Sequence, residues 1–306
     1  MSPLRAESLY TGTMSAGYQA LREGAAWLDL ASRGRILARG RDRARLLHNI
    51  STNDVKRLTP GSGCYAFLLN PQGRIQSDLE IFCFAEHFLL ATEPEMRERA
   101  VAHIRRYIIA DQVELEDVTA ATSALAVEGP RAAAVLEALG APVPAADYGH
   151  LPWGEITVAA ASVTGQPGFR FFLPTADFAA LASRLEAAGA VPATPEDARL
   201  VRIENGKPRY GEDIRDTSLP QETQQMHGVS FTKGCYLGQE IVERIRARSH
   251  VNRKLERLEL DAAELPAPGT KLAVEGGEAE VTSAVYSPNL GKVVALAYVR
   301  AGVAHP

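Results

Sequence analysis

Cysteine is scarce in this 306-residue chain, with only Cys64, Cys83 and Cys235 present. An odd count with no C-x-x-C pair argues against a disulfide framework. It also supplies no ligand set for a resident zinc ion or iron–sulfur cluster. A reducing, cytoplasmic setting is expected. Positive charge is not in excess: 33 Lys and Arg stand against 37 Asp and Glu, a net charge of −4. A globally basic nucleic-acid binder is therefore not indicated. No apolar run approaches the ~20 residues of a membrane-spanning helix. The first 24 residues lack the apolar centre of a signal peptide, and two arginines against two glutamates make a poor transit peptide. What remains, 46% hydrophobic and 23% charged, is a globular composition long enough for two or three cores.

The most informative stretch is Lys233-Gly234-Cys235-Tyr236-Leu237-Gly238-Gln239-Glu240. The spacing predicts a helix from Gln239 to Arg248, with Ile241, Val242 and Ile245 on its apolar side. A thiol beside an ammonium and near a helix start ionises more easily than a free cysteine. The flanking glycines permit a sharp turn and a close approach. Two readings stand at this point. Cys235 is a reactive thiol assisted by Lys233, or it is a small buried hydrophobe. Cys64 and Cys83 sit in apolar, strand-like runs and read as core residues.

Along the chain, residues 1–33 form an N-terminal segment leading into a strand at 35–38. Trp27 either stacks on a flat ring or fills the core. A repeat then emerges. Gly40 ends one strand and a helix at 42–49 follows; Gly129 ends the strand at 123–127 and a helix with Pro130 in its first turn follows. The runs 87–92 and 168–173 each precede an amphipathic helix. One carries Met96, Ala100, Ile104 and Tyr107, the other Phe178, Leu181, Leu185 and Ala188. The order strand, helix, strand, strand, helix, strand is that of a ferredoxin-like split β-α-β unit, used twice. Its closing strands fall at 113–118 and, more weakly, near 190–192.

Thr194 as cap, Pro195 at the first position, Glu196 and Asp197 in the first turn and Gly206 at the end delimit another helix. Glu204 in its last turn faces the unfavourable end of the helix dipole. The basic residues Arg244, Arg246, Arg248, His250, Arg253, Lys254 and Arg257 read as a solvated face or as a collar for an anionic partner. From Leu255 onward, short strands at 255–260, 271–274, 280–286 and 293–299 alternate with turns at Pro268-Gly269, Gly276-Gly277 and 288–291, an all-β module.

The octapeptide resembles the K-G-C-[FY]-x-G-Q-E signature of the YgfZ family, folate-binding relatives of the glycine cleavage T-protein that act in iron–sulfur cluster assembly and repair. Other stretches resemble T-protein patterns. These are the Asp29-Leu30-Ala31-Ser32 region, Thr52-Asn53-Asp54-Val55, the run from Tyr65 through Leu69-Asn70 and Gly73 to Ser77-Asp78-Leu79, and Arg202-Ile203-Glu204-Asn205-Gly206 through Pro208 to Asp213-Ile214. Leu219-Pro220-Gln221-Glu222 continues the pattern. The resemblance implies an α+β fold of two ferredoxin-like subdomains around a folate cleft, plus a C-terminal β-barrel. The divisions fall at 1–120, 121–250 and 251–306.

The resemblance also implies tetrahydrofolate or a one-carbon derivative as ligand. Glu204 is expected to grip the pterin edge, since a carboxylate accepts two neighbouring N–H donors in parallel. Asp78, Tyr65, Asn53 and Arg202 are expected to complete the folate site. Cys235 and Lys233 are the expected reactive pair, with Gly234, Tyr236, Gly238, Gln239 and Glu240 shaping the pocket floor and no metal bound. In T-proteins an aspartate of a D-D-L pair activates the folate. Here the pair is reduced to Ser77-Asp78, so aminomethyl transfer is the alternative to an iron–sulfur role, and an RNA- or protein-binding module is a third. Iron–sulfur assembly proteins or client enzymes are the expected partners of a cytoplasmic monomer.

Overall fold

Ser15 opens the first helix, α1 (Ala16–Glu23), by accepting a hydrogen bond from the Tyr18 amide at 3.0 Å. The computed structural model describes residues 14–248, 251–275 and 277–301. His250 of the basic run and Gly276 of the expected turn lie outside them. After α1 comes strand β1 (Ala26–Asp29). Its alternation buries Ala26 and Leu28 and turns Asp29 outward, the period of a half-buried strand.

The first lobe follows in order: β2 (Gly34–Arg39), α2 (Arg43–Ile50), β3 (Gly63–Leu69), β4 (Ile75–Cys83), β5 (His87–Thr92), α3 (Arg97–Arg106) and β6 (Glu114–Asp117). Its sheet runs β3-β4-β5-β2-β6. The four strands β4-β5-β2-β6 have the neighbour relations of a split β-α-β unit, and β3 extends that core at one edge. Leu46, Leu47 and Ile50 of α2 and Ala100 and Ile104 of α3 bury their stripes against Ile36, Leu79, Ile81 and Leu90 of the sheet. The expected helices and strands are present here to within a few residues.

The second lobe holds β7 (Thr122–Glu128), α4 (Ala132–Ala138), β8 (His150–Trp153), β9 (Ile156–Ala160), β10 (Gly168–Pro174), α5 (Phe178–Ala187) and the two-residue β11 (Val191–Pro192). Its sheet runs β11-β1-β7-β10-β9-β8. Strand β1 is inserted here, parallel to β11 and antiparallel to β7. The N-terminal segment, grouped by sequence with residues 1–120, thus completes the opposite sheet. Its signal is the short alternation around Leu28, which is too brief to stand out against the stronger run at 35–38.

Helix α6 (Pro195–Glu204) joins the lobes. Thr194 and Asp197 form a reciprocal capping box, with bonds of 3.1 and 2.9 Å, and Gly206 leaves the helix at φ +69°. Val201 packs with Tyr18, Leu21 and Leu28; Ile203 packs with Leu255, Val294 and Leu296. The chain after α6 returns to the first lobe. Tyr210, Ile214, Val229, Tyr236 and the Val242 of α7 (Gln239–Arg248) share a core with Phe67, Leu69, Ile75 and Met96. The last strands, β12 (Lys254–Leu260), β13 (Lys271–Val274), β14 (Gly277–Ser287) and β15 (Lys292–Ala301), form an antiparallel sheet β12-β15-β14-β13, with a bulge between Val281 and Ser283. Among the described residues no helix is long and apolar enough to cross a membrane.

Candidate ligand-binding site

A cavity of about 610 Å³ lies between the two lobes. Its walls come from β3, β4 and the end of β5 with the residues after it, from Tyr148, Ser162 and Val163 of the second lobe, from the loop after β1, one side of α6 with the segment after it, and the 225–227 turn. Strand periodicity selects which side chains enter. Ser77, Leu79 and Ile81 of β4 are fully buried away from the cavity, and Leu79 and Ile81 belong to the first-lobe core. Asp78 and Glu80, on the other face, line the cavity. The Ser77 hydroxyl lies 3.4 Å from the Thr92 hydroxyl. Ser77 therefore marks the side of the strand that an acid facing the cavity cannot occupy.

Asp78 accepts a hydrogen bond of 2.8 Å from the Tyr65 hydroxyl. Burial and the nearby Glu93 push its carboxyl up to about 7, although Tyr65 and Arg33 pull the other way. Burial, with Asp78 beside it, raises Tyr65 well above the ordinary phenol range. Glu80 is different. Burial alone would raise it, but Arg170 and Arg33 outweigh that and hold it below the usual carboxylate range. Arg170 clasps both Glu80 oxygens, one at 3.2 Å. Glu93 is gripped by Arg33 and, at 2.8 Å, by Arg209. Of Asp78, Glu80 and Glu93, Asp78 is thus the carboxylate bonded to a neutral side chain and raised toward neutrality. The ring of Tyr65 lies against the His227 imidazole, centroids 5.2 Å apart and planes 27° apart, and both line the cavity.

Asn53 does not line the cavity, but its amide donates to the carbonyls of Tyr65 (2.8 Å) and His227 (3.0 Å), tying the two ring-bearing segments together. Arg202 does line it. Its guanidinium donates to Asp213 at 2.6 Å, to the Lys207 carbonyl at 2.9 Å and to Glu212.

Glu204 is placed elsewhere, which corrects the expectation that it faces the ligand. Residues two apart on a helix project roughly 200° apart, so with Arg202 toward the cavity Glu204 turns away. It is 7% exposed and accepts from Tyr18 at 2.8 Å and from Ser287, with Arg22 at 3.6 Å. It joins α1, α6 and the end of β14.

The octapeptide does not line the cavity either, and Lys233 does not serve the thiol as expected. Its side chain runs inward, and its ammonium donates to the carbonyls of Ser51 (2.6 Å) and His48. These are orphan acceptors at the C-terminal end of α2, where a cation is favoured. Burial lowers its pKa to about 8. Cys235 is exposed, beside Gly234 at φ +91°. Tyr236 is buried, and its amide lies 3.3 Å from the Gln239 side-chain oxygen. Gly238 has no room for a side chain: a Cβ would sit 2.6 Å from the Asn70 carbonyl. Gln239 and Glu240 open α7, and Glu240 is solvent-exposed. The octapeptide is thus a strap stitched to the first lobe that presents one thiol outward. Cys83 is buried, as expected. Cys64 is half-buried, its thiol pushed up to about 12 by burial.

Three residues of the basic run are tied internally. Arg246 covers Phe231 (4.4 Å), Arg253 covers Tyr298 (4.2 Å) and pairs with Glu222 (3.2 Å), and Arg257 donates to the Glu204 carbonyl (2.6 Å). Sequence reasoning missed His227, Glu80 and Arg33 as cavity residues. Glu80 was within reach, since it stands two positions from Asp78 on the same strand.

Residues 5–233 match the GCVT N-terminal domain, and residues 253–306 match the glycine cleavage T-protein C-terminal barrel domain. The chain belongs to the glycine cleavage T-protein family. It is 33% identical to an aminomethyltransferase of Rubrobacter xylanophilus over 95% of this chain and 80% of that one. It is 30% identical to an aminomethyltransferase of Geobacillus kaustophilus, over 94% and 82% respectively. The crystal structure of glycine cleavage system aminomethyltransferase T from Bartonella henselae superposes with a TM-score of 0.83 at 22% identity, over 93% of this chain and 80% of that one. The architecture is the T-protein fold.

Proposed function

We propose that the protein binds a reduced folate in the inter-lobe cavity and that it serves iron–sulfur enzymes in the manner of YgfZ proteins. The observation that carries the binding reading is Asp78. It is a cavity carboxylate held by a neutral phenol and poised near pH 7. The cavity fits the ligand class: a flat heterocycle with neighbouring N–H donors meets an acceptor in Asp78 and an aromatic wall in Tyr65 and His227. A tetrahydrofolate, when bound, supplies a ring-nitrogen carrier for a one-carbon unit. Asp78 holds or takes a proton at its carboxylate, and Tyr65 fixes that carboxylate's orientation. Names of relatives in the T-protein family support the folate assignment. The iron–sulfur role rests on the octapeptide and its outward thiol. Calorimetric titration with tetrahydrofolate tests the first part. Rescue of iron–sulfur enzyme activity in a deletion strain, by wild type and not by Cys235→Ser, tests the second.

A second reading, aminomethyl transfer, is favoured by one specific feature. The acid replaced by Ser77 lies on the side of β4 facing away from the cavity, while the retained Asp78 faces in. Folate-dependent ammonia release from an aminomethyl-lipoyl carrier separates the two readings.

A further inference from the structure

We propose that His227 is a positioning residue of the cavity: its imidazole, stacked on Tyr65, holds the phenol hydroxyl on Asp78 and so fixes the carboxylate that faces the ligand. The Tyr65 ring is boxed on several sides. Phe67 meets it edge-on at 5.2 Å and 76°. His227 covers it at 5.2 Å with the planes 27° apart. Gly228 lets that segment come close, because a Cβ there would lie 2.9 Å from the Tyr65 ring. Asn53 holds the two backbones in register through their carbonyls, and the Thr52 hydroxyl donates to the Gly228 carbonyl. Of these restraints, His227 is the one that also forms the cavity surface. Removing its ring would open space beside Tyr65, and the hydroxyl would be released to swing off Asp78 toward the cavity.

The charged groups around the assembly are few. Asp78 meets Glu80 from its own strand, Glu93 from the end of β5 and Arg33 from the loop after β1; His227 meets Lys207 and Asp147. None of these bonds the Tyr65 hydroxyl, so its contact with Asp78 depends on how the ring is held. A hydrogen bond to the ionised carboxylate favours ionisation, and its loss raises the carboxyl midpoint.

The inference rests on the reading of this cavity as the ligand site, yet its test needs no ligand. The Asp78 carboxyl is followed by carbon-13 NMR in aspartate-labelled protein, assigned by its absence in Asp78→Asn. Tyr65→Phe is expected to raise the Asp78 midpoint by about one to two pH units. His227→Ala and His227→Leu are expected to raise it comparably, and His227→Phe, which keeps a stacking ring, to leave it at the wild-type value. An unchanged midpoint in His227→Ala and His227→Leu overturns the proposal, as does failure of His227→Phe to restore it. An absence of tetrahydrofolate binding by wild type would overturn the folate reading and leave this titration standing.

Discussion

Tyr65 on β3 and Asp78 on β4 meet hydroxyl to carboxylate at 2.8 Å, at the wall of the cavity between the two lobes. This contact sets a pH dependence with a definite sign. The folded-state carboxyl, raised to about 7, keeps its proton where the unfolded chain has already released it, from pH ~4 upward. The group's contribution to stability is full below pH ~4 and is lost as pH rises through about 7. Asp78→Asn should remove that component, so its stability relative to wild type improves steadily between pH 4 and 8 in urea titrations.

Binding should run the other way. The ionised carboxylate is the better acceptor for neighbouring N–H donors. Affinity for tetrahydrofolate is expected to rise as pH passes through 7, and isothermal titration across pH 5.5–8.5 checks it. Asp78→Asn should flatten the profile.

Glu204→Gln should cost about 1–3 kcal/mol of stability, because Tyr18 and Ser287 donate to this buried carboxylate. Tetrahydrofolate affinity should stay within about twofold of wild type, since Glu204 faces away from the cavity. Urea unfolding and calorimetry on one preparation measure both.

Lys233→Met should destabilise the fold by about 1–3 kcal/mol by leaving the Ser51 and His48 carbonyls at the end of α2 without their donor. The rate of Cys235 alkylation at a fixed pH should not change. A large fall in that rate would restore the lysine to the role that sequence proximity suggests.

Arg170 is 1% exposed and holds Glu80 with both terminal nitrogens. Arg170→Met leaves a buried carboxylate without its main partner, a change that typically costs about 3–5 kcal/mol. Thermal and urea midpoints are the readout.

Much of the architecture was legible in the sequence because its signals are local. The stripes of α3 and α5, the cap and stop of α6, and the turn-bounded strands after Leu255 follow from short-range periodicity. The contribution of β1 to the second sheet was not legible, since a four-residue strand carries little pattern and its partners lie about a hundred residues or more away. At the site, Asp78, Tyr65 and Arg202 line the inter-lobe cavity. Glu204 was expected at the ligand from a resemblance and Lys233 at the thiol from adjacency, and neither says which way a side chain points. Arg202 and Glu204 diverge around a helix, and Lys233 reaches inward while Cys235, two residues on, points out. His227 carried no signal until the fold brought it over Tyr65.

The central claim is that the inter-lobe cavity recognises a reduced folate through Asp78. Its most direct test is calorimetric titration of tetrahydrofolate into wild type, Asp78→Asn and Glu204→Gln at pH 8. The account predicts binding by wild type, a loss of about 10- to 100-fold in Asp78→Asn, as expected for losing charge-assisted hydrogen bonds, and near wild-type affinity in Glu204→Gln. Affinity unaffected by Asp78→Asn and abolished by Glu204→Gln would contradict it.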